Sequence, residues 1–132
     1  MYSLLYSSIA SFPLSPAEVD ALLDRSRDLN AAHDVSGLLL YVLVDAQESA
    51  FLQVLEGSQE AVAATFARIE QDELHHSLEV LHRGPAAERR FADWSMRFVR
   101  LDGSELVPAG PVDADRALRD REAMVALVAR YA

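Results

Sequence analysis

An α+β fold built on one mixed sheet is what the order of patterns along this chain predicts. Residues 2–9 alternate with a two-residue period, as a strand does. A helical repeat begins at Pro16, and two apolar runs separated by a short polar break come next. A second helical repeat and two further alternating segments complete the series. The resulting order, β-α-β-β-α-β-β, is that of a ferredoxin-like sheet carrying an extra strand, with two helices on one face. The first and third strands are then neighbours at the sheet centre.

Each element has a local reason. Tyr2, Leu4, Tyr6 and Ser8 share one face of the first strand, Ser3, Leu5, Ser7 and Ile9 the other, and Phe12-Pro13 turns the chain. Ser15-Pro16-Ala17-Glu18 starts a helix: the serine caps, the proline fits the first helical position, and the glutamate bonds back to the cap. Val19, Leu22, Leu23, Ser26, Leu29 and Asn30 then recur at helical spacing, up to about Ala32. Leu38–Val44 is a strongly apolar strand, and the polar break Asp45–Ser49 turns it by a hairpin into Phe51–Gly57. Ser58-Gln59-Glu60 opens the second helix, whose apolar face is Ala61, Val62, Thr65, Phe66 and Ile69. Residues 77–83 and 94–101 alternate as the last two strands, with Trp94, Met96 and Phe98 on one face. Arg89-Arg90, in the loop between them, reads as a solvated pair. Beyond a Pro108-Ala109-Gly110-Pro111 linker, Asp113 can cap a final helix with the stripe Leu118, Met124, Val125, Val128 and Tyr131. One sheet face is already taken, so this helix is expected to cover the other, over Leu5, Ile9, Leu52 and Val54.

At 132 residues and 51% hydrophobic content the chain is one globular domain's worth of sequence. No apolar run has membrane-spanning length and no secretory leader pattern opens the chain, so a cytoplasmic location is expected, without membrane attachment. A net charge of −9 opposes nucleic-acid binding. The absence of cysteine excludes disulfides, thiolate metal sites, cysteine nucleophiles and a covalent cysteinyl–cofactor bond.

The informative residue is Gln53, an amide inside the apolar run Phe51–Gly57. Unpaired, a buried amide costs roughly 1–3 kcal/mol, so something polar must sit above this strand. Tyr6 comes from the neighbouring strand, Asn30 from the first helix, and Arg68 and His75 from the second helix and its exit. With Leu22, Leu39, Phe51 and Ile69 as walls, they make a hydrogen-bonding cavity without a nucleophile–base pair, suited to a flat ligand with polar edges. His75 and His76 lack a third metal ligand at convincing spacing, so no metal is expected.

Five stretches, in order, carry a resemblance: Leu5-Tyr6-Ser7-Ser8, Ser26-Arg27-Asp28-Leu29-Asn30, Ser36–Tyr41, Phe51–Gly57 and Arg90–Met96. Together they resemble the BLUF domains, blue-light sensors that bind flavin, over roughly residues 2–101. The resemblance implies a flavin-binding unit over 1–101 followed by a linker and capping helix over 102–132. It implies that Tyr6 and Gln53 are the photoactive pair, that Asn30 holds the polar edge of the flavin ring, and that Trp94 and Met96 relay the glutamine's state. In that family light moves an electron and a proton from the tyrosine to the flavin, and their return leaves the glutamine rearranged and the absorption red-shifted. The implied cofactor-binding set is Tyr6, Leu22, Arg25, Ser26, Arg27, Asn30, Leu39, Phe51, Gln53, Arg68, Ile69, His75 and Met96. The implied cofactor is FAD, with FMN or riboflavin able to substitute where the far end of the dinucleotide is solvent-exposed.

Three features depart from the family pattern: a longer hairpin between Tyr41 and Phe51, Leu74 where an arginine is expected, and Leu29 beside Asn30. A sensor without enzymatic activity is expected, signalling to another protein or through a homo-oligomer. Two alternatives are an acylphosphatase-like hydrolase and a chromophore-free interaction module. The first needs an arginine-rich cradle after the first strand, and Ser7–Ser11 has none. The second differs from the sensor only in being colourless.

Overall fold

The computed structural model describes residues 1–12, 14–43, 48–93, 95–102 and 121–131. Its strands are β1 (Tyr2–Ala10), β2 (Ser36–Leu43), β3 (Ser49–Gly57), β4 (His75–Pro85) and β5 (Arg97–Asp102). Its helices are α1 (Pro16–Ala32), α2 (Gln59–Glu70) and α3 (Arg121–Ala129). The strands form one sheet in the order β4-β1-β3-β2-β5. All neighbours are antiparallel except β5, which runs parallel to β2. This is the expected α+β, ferredoxin-like sheet with its fifth strand added beside β2, and it sets Tyr6 directly opposite Gln53 at the centre.

Local chemistry starts each helix. At α1 the Ser15 hydroxyl accepts from the Glu18 N–H at 3.2 Å, and the Glu18 carboxylate accepts from the Ser15 N–H at 3.0 Å. At α2 the Ser58 hydroxyl accepts from the Ala61 N–H at 3.1 Å. Between β2 and β3 a glycine is required. A Cβ at Gly37 would stand 2.0 Å from the Val54 carbonyl oxygen, where no side chain fits.

The sheet separates two cores. On one face α1 and α2 bury Val19, Leu23 and Val62 against Leu4, Leu39, Phe51 and Leu55. On the other, α3 buries Met124, Leu127 and Val128 against Leu5, Leu52, Val54 and Phe91. Each such aliphatic side chain contributes about 1.5–3 kcal/mol of transfer free energy.

Several expectations need correction. Val125 is 39% exposed, and Leu127 faces the sheet in its place, a shift of two positions around the helix. Ile9 is half-buried and belongs to neither core. The fourth strand extends beyond 77–83 to His75–Pro85, because β1 offers it a full-length partner. The fifth begins at Arg97, so Met96 lies just ahead of it, while Trp94, the 44–47 part of the hairpin, the 108–111 linker, Asp113 and Leu118 lie outside the described residues.

The largest correction concerns Arg89-Arg90: Arg90 is exposed as expected, but the Arg89 side chain is bound and the Arg90 backbone is held. The buried Glu56 carboxylate accepts from the backbone N–H groups of Arg90 at 3.0 Å and Phe91 at 2.6 Å, and from the Ser36 hydroxyl at 3.1 Å. The Arg89 side chain, 19% exposed, donates to Ser36 Oγ at 2.9 Å and to the Asp34 carbonyl at 2.8 Å. A buried carboxylate needs such partners, and the incoming loop supplies two of them. The clamp anchors the loop that delivers Ser95 and Met96 to the cavity.

Candidate functional site

The site is assembled around the β1–β3 register. Tyr6 and Gln53 are cross-strand partners whose side chains rise on the face covered by α1 and α2. The Tyr6 hydroxyl donates to Gln53 Oε1. Gln53 Nε2 donates to the Met96 sulfur at 3.6 Å, a weak acceptor. Burial raises the Tyr6 pKa far above its ordinary value, and the nearby negative charge of Asp72 raises it further. The hydroxyl therefore remains a neutral donor.

Asn30, buried near the end of α1, donates from Nδ2 to the Ser95 carbonyl at 2.8 Å. Arg27, on the same helix, donates from Nε to the Met96 carbonyl at 3.1 Å. Two residues of α1 thus pin the backbone of residues 95–96 from above. His75 closes the other end. Its Nε2 lies 2.7 Å from the Ile69 carbonyl, which can only accept, so Nε2 carries a proton. Its Nδ1 then accepts from the Ser8 hydroxyl at 2.7 Å. The imidazole also meets the rings of Tyr6 and Phe51 edge-on, at centroid separations of 6.2 and 6.0 Å.

These groups enclose a cavity of about 250 Å³. The structure places Tyr6, Leu22, Arg25, Ser26, Asn30, Leu39, Phe51, Gln53, Arg68, Ile69 and His75 on its lining. Arg27 and Met96 stand behind the lining and bond to each other. Sequence reading missed Thr65 and Asp72 on the wall, as well as the Ser95 carbonyl and Ser8, and noted Leu29 and Leu74 only as departures from the family pattern. Thr65 had looked like part of an apolar helix face. The Ser95 carbonyl and Ser8 acquire partners only through loop placement and the β1–β4 register, which no local pattern reveals.

A flat ring with a polar edge fits this cavity on two observations. Leu22, Leu39, Phe51 and Ile69 give apolar wall, while Asn30 and Gln53 bring amide groups to the same lining. There Asn30 Oδ1 has no partner among the described residues, and one Gln53 N–H is left once the other has met sulfur. An acceptor and a donor on one lining match the alternating amide edge of an isoalloxazine. The volume sits just under the ~300–1,000 Å³ of small-molecule sites, enough for one ring system and not for a whole dinucleotide.

Comparison with known proteins agrees with this geometry. A family model described as BLUF, sensors of blue-light using FAD, matches residues 1–97. The structure of BlrB, a BLUF protein in its dark state, superposes with a TM-score of 0.79 at 28% identity, covering 98% of this chain and 93% of that one. Klebsiella pneumoniae BlrP1, as a manganese and cyclic-di-GMP complex, gives a TM-score of 0.67 at 29% identity over 97% of this chain and 32% of its own. The photoactivated adenylate cyclase subunit beta of Euglena gracilis is 32% identical over 95 residues, 71% of this chain and 10% of that protein. This chain therefore spans about a tenth of such cyclase subunits. The order of strands, the Tyr6–Gln53 pair at their centre and the family match over 1–97 lead to one conclusion: the chain belongs to the BLUF family of flavin-binding blue-light sensors.

Proposed function

We propose that the switch of this sensor is the Tyr6–Gln53–Met96 chain, and that its output is a protein contact rather than catalysis. The observation that carries the reading is the polarity of the two hydrogen bonds on Gln53. Its oxygen is tied to Tyr6 and its nitrogen to the Met96 sulfur. Asn30, Gln53 and the apolar walls would hold the flavin ring, with Arg25, Ser26, Arg68 and His75 around it. When bound, the flavin absorbs blue light and takes up an electron.

Tyr6 is the donor in this reading. It gives up one electron and its phenolic proton, the proton leaving along the bond to Gln53 Oε1, and both later return. Tyr6 ends as it began, and the lasting change is in Gln53. A rotated amide points Nε2 toward the tyrosine oxygen and Oε1 toward the Met96 sulfur. Oxygen and sulfur are both acceptors, so the N–H···S bond is lost and Met96 is pushed off. Arg97, the next residue, donates to the Tyr131 carbonyl at the end of α3 and lies 5.7 Å from the Tyr131 ring centroid. Met96 and Arg97 thus join the cavity to α3, with Trp94 proposed as a second relay. Residues 1–101 serve as the sensing unit and 102–132 as linker and output helix. The receiver is a separate protein or a second copy of the chain.

The test is an absorption spectrum of the purified protein before and after blue light. A yellow protein with a reversible red shift is expected. In Tyr6→Phe the flavin should remain and the shift should vanish. A variant that keeps a normal shift would overturn the assignment of Tyr6, and a colourless protein that no flavin restores would overturn the sensor reading.

A further inference from the structure

Three consecutive residues are tethered to two different helices. The Ser95 carbonyl accepts from Asn30 and the Met96 carbonyl from Arg27, both on α1, while the Arg97 guanidinium donates to the Tyr131 carbonyl at the end of α3. Upstream, the backbone N–H groups of Arg90 and Phe91 are fixed on Glu56. Downstream, Arg97 already pairs with Leu38 in the β2–β5 ladder. A displaced Met96 thus moves between two anchored ends, against the bonds from α1.

The two bonds from α1 differ in what else they serve. Asn30 is buried and lines the cavity, so it answers to a ligand as well as to the loop. Arg27 is absent from the lining, and its one hydrogen bond among the described residues runs from Nε to the Met96 carbonyl at 3.1 Å. Asp24 and Asp28 stand on the same helix, yet neither forms an ion pair with it. With 21 acidic residues against 12 lysines and arginines, a guanidinium that holds a backbone carbonyl instead of a carboxylate needs a reason. That carbonyl belongs to the residue whose sulfur faces Gln53. Met96 is therefore held at both ends, by Gln53 at the side chain and by Arg27 at the backbone.

We propose that Arg27 is a positioning residue that sets the lifetime of the lit state. In the dark the two holds on Met96 agree: Gln53 Nε2 donates to the sulfur while Arg27 fixes the carbonyl. Once the amide has rotated, Oε1 faces the sulfur, and two acceptors repel each other. Met96 is then driven away by Gln53 while its backbone is still held in the dark position. The lit state carries that opposition as strain, and relief of the strain favours the return. Without the Arg27 bond the segment relaxes around the rotated amide, and the lit state lasts longer. The inference rests on the Gln53 rotation read above and adds to it a control on how fast the rotation reverses.

The experiment follows the dark reversal of the red shift in the full-length, flavin-loaded chain, comparing the parent with Arg27→Met and Arg27→Lys. Methionine keeps an unbranched stem and cannot donate; lysine keeps a charged donor. Arg27→Met should retain the full red shift and reverse it about fivefold more slowly or slower still, as fits the loss of a partly exposed charged hydrogen bond. Arg27→Lys should restore much of the parent rate. With the methionine carbonyls isotope-labelled, the light-minus-dark infrared spectrum of the parent should contain a carbonyl band that moves to higher frequency in the light. Arg27→Met should lack that band, because its Met96 carbonyl is free of the bond in both states. An Arg27→Met variant that reverses at the parent rate or faster would overturn the inference. So would one that binds flavin but loses the red shift, since Arg27 would then act on the switch itself. A parent chain without any red shift would overturn the Gln53 reading beneath it, and the two failures are distinct.

Discussion

Gln53 is a residue whose two ends see different partners, and substitutions there separate binding from switching. Gln53→Leu keeps the side-chain volume and removes the amide, so it should cost under about 1.5 kcal/mol and retain flavin, yet lose the light-induced shift. Met96→Leu removes the sulfur acceptor. It should keep a red shift while weakening any light-dependent change at α3, read from partner binding or limited proteolysis. Tyr6 carries a pH signature. Its folded-state pKa is raised above the ordinary 10.0 by burial, with Asp72 adding to it. Below that value both folded and unfolded chains keep the proton, and stability is unaffected. Above it the unfolded chain releases a proton the folded chain retains, so stability falls as pH rises. Tyr6→Phe should therefore lose less stability than the parent between about pH 9 and about pH 11, measured by urea denaturation. Gln53 was legible in the sequence because it is polar within an apolar run, while Tyr6 was reached through the sheet topology and Asn30 through the family resemblance. Ser8–His75 was not. Ser8 falls where the β1–β4 register shifts between Ser7 and Ile9, and no periodicity announces a bulge.

At the scale of elements, two joints decide whether the site is assembled. Gly37→Ala would drive a methyl group into the Val54 carbonyl oxygen, 2.0 Å away. Backbone cannot yield as a side chain can, so a loss of about 3 kcal/mol or more is expected, seen as a lower Tm and loss of bound flavin. The second joint is Glu56. Glu56→Ala leaves two loop N–H groups and the Ser36 hydroxyl without their acceptor, and should cost about 2–4 kcal/mol while releasing residues 89–96 from β3. Flavin affinity should fall with it although Glu56 touches no part of the cavity. The helices were readable from their caps and the strands from alternation. The Glu56 clamp was hidden because its loop donors are backbone N–H groups, which every residue carries and no sequence pattern marks. The choice of Leu127 over Val125 was hidden for a related reason. Both are apolar, and the orientation of α3 is set by the sheet it lands on.

For the whole molecule, the two cores make α3 part of the fold. Leu5, Leu52 and Val54 are buried by Met124, Leu127 and Val128. A chain ending after Gly103 should expose that face and become insoluble or self-associate, checked by size-exclusion chromatography. A truncated protein that stays monomeric and equally stable would show that α3 is dispensable. The arrangement was anticipated in the sequence because one sheet face was already claimed by α1 and α2, and an apolar stripe remained to cover the other. The sheet order also ranks its strands. β3 has neighbours on both sides, whereas β5, which follows directly from Met96, pairs with β2 alone. The outward-facing amides of β5 thus have no ladder partner among the described residues, and the strand can detach without breaking the centre. In hydrogen–deuterium exchange the β3 amides should report global unfolding, while those of β5 exchange early through local opening. The strand beside the switch is then an edge strand, able to leave the sheet while its centre stays paired.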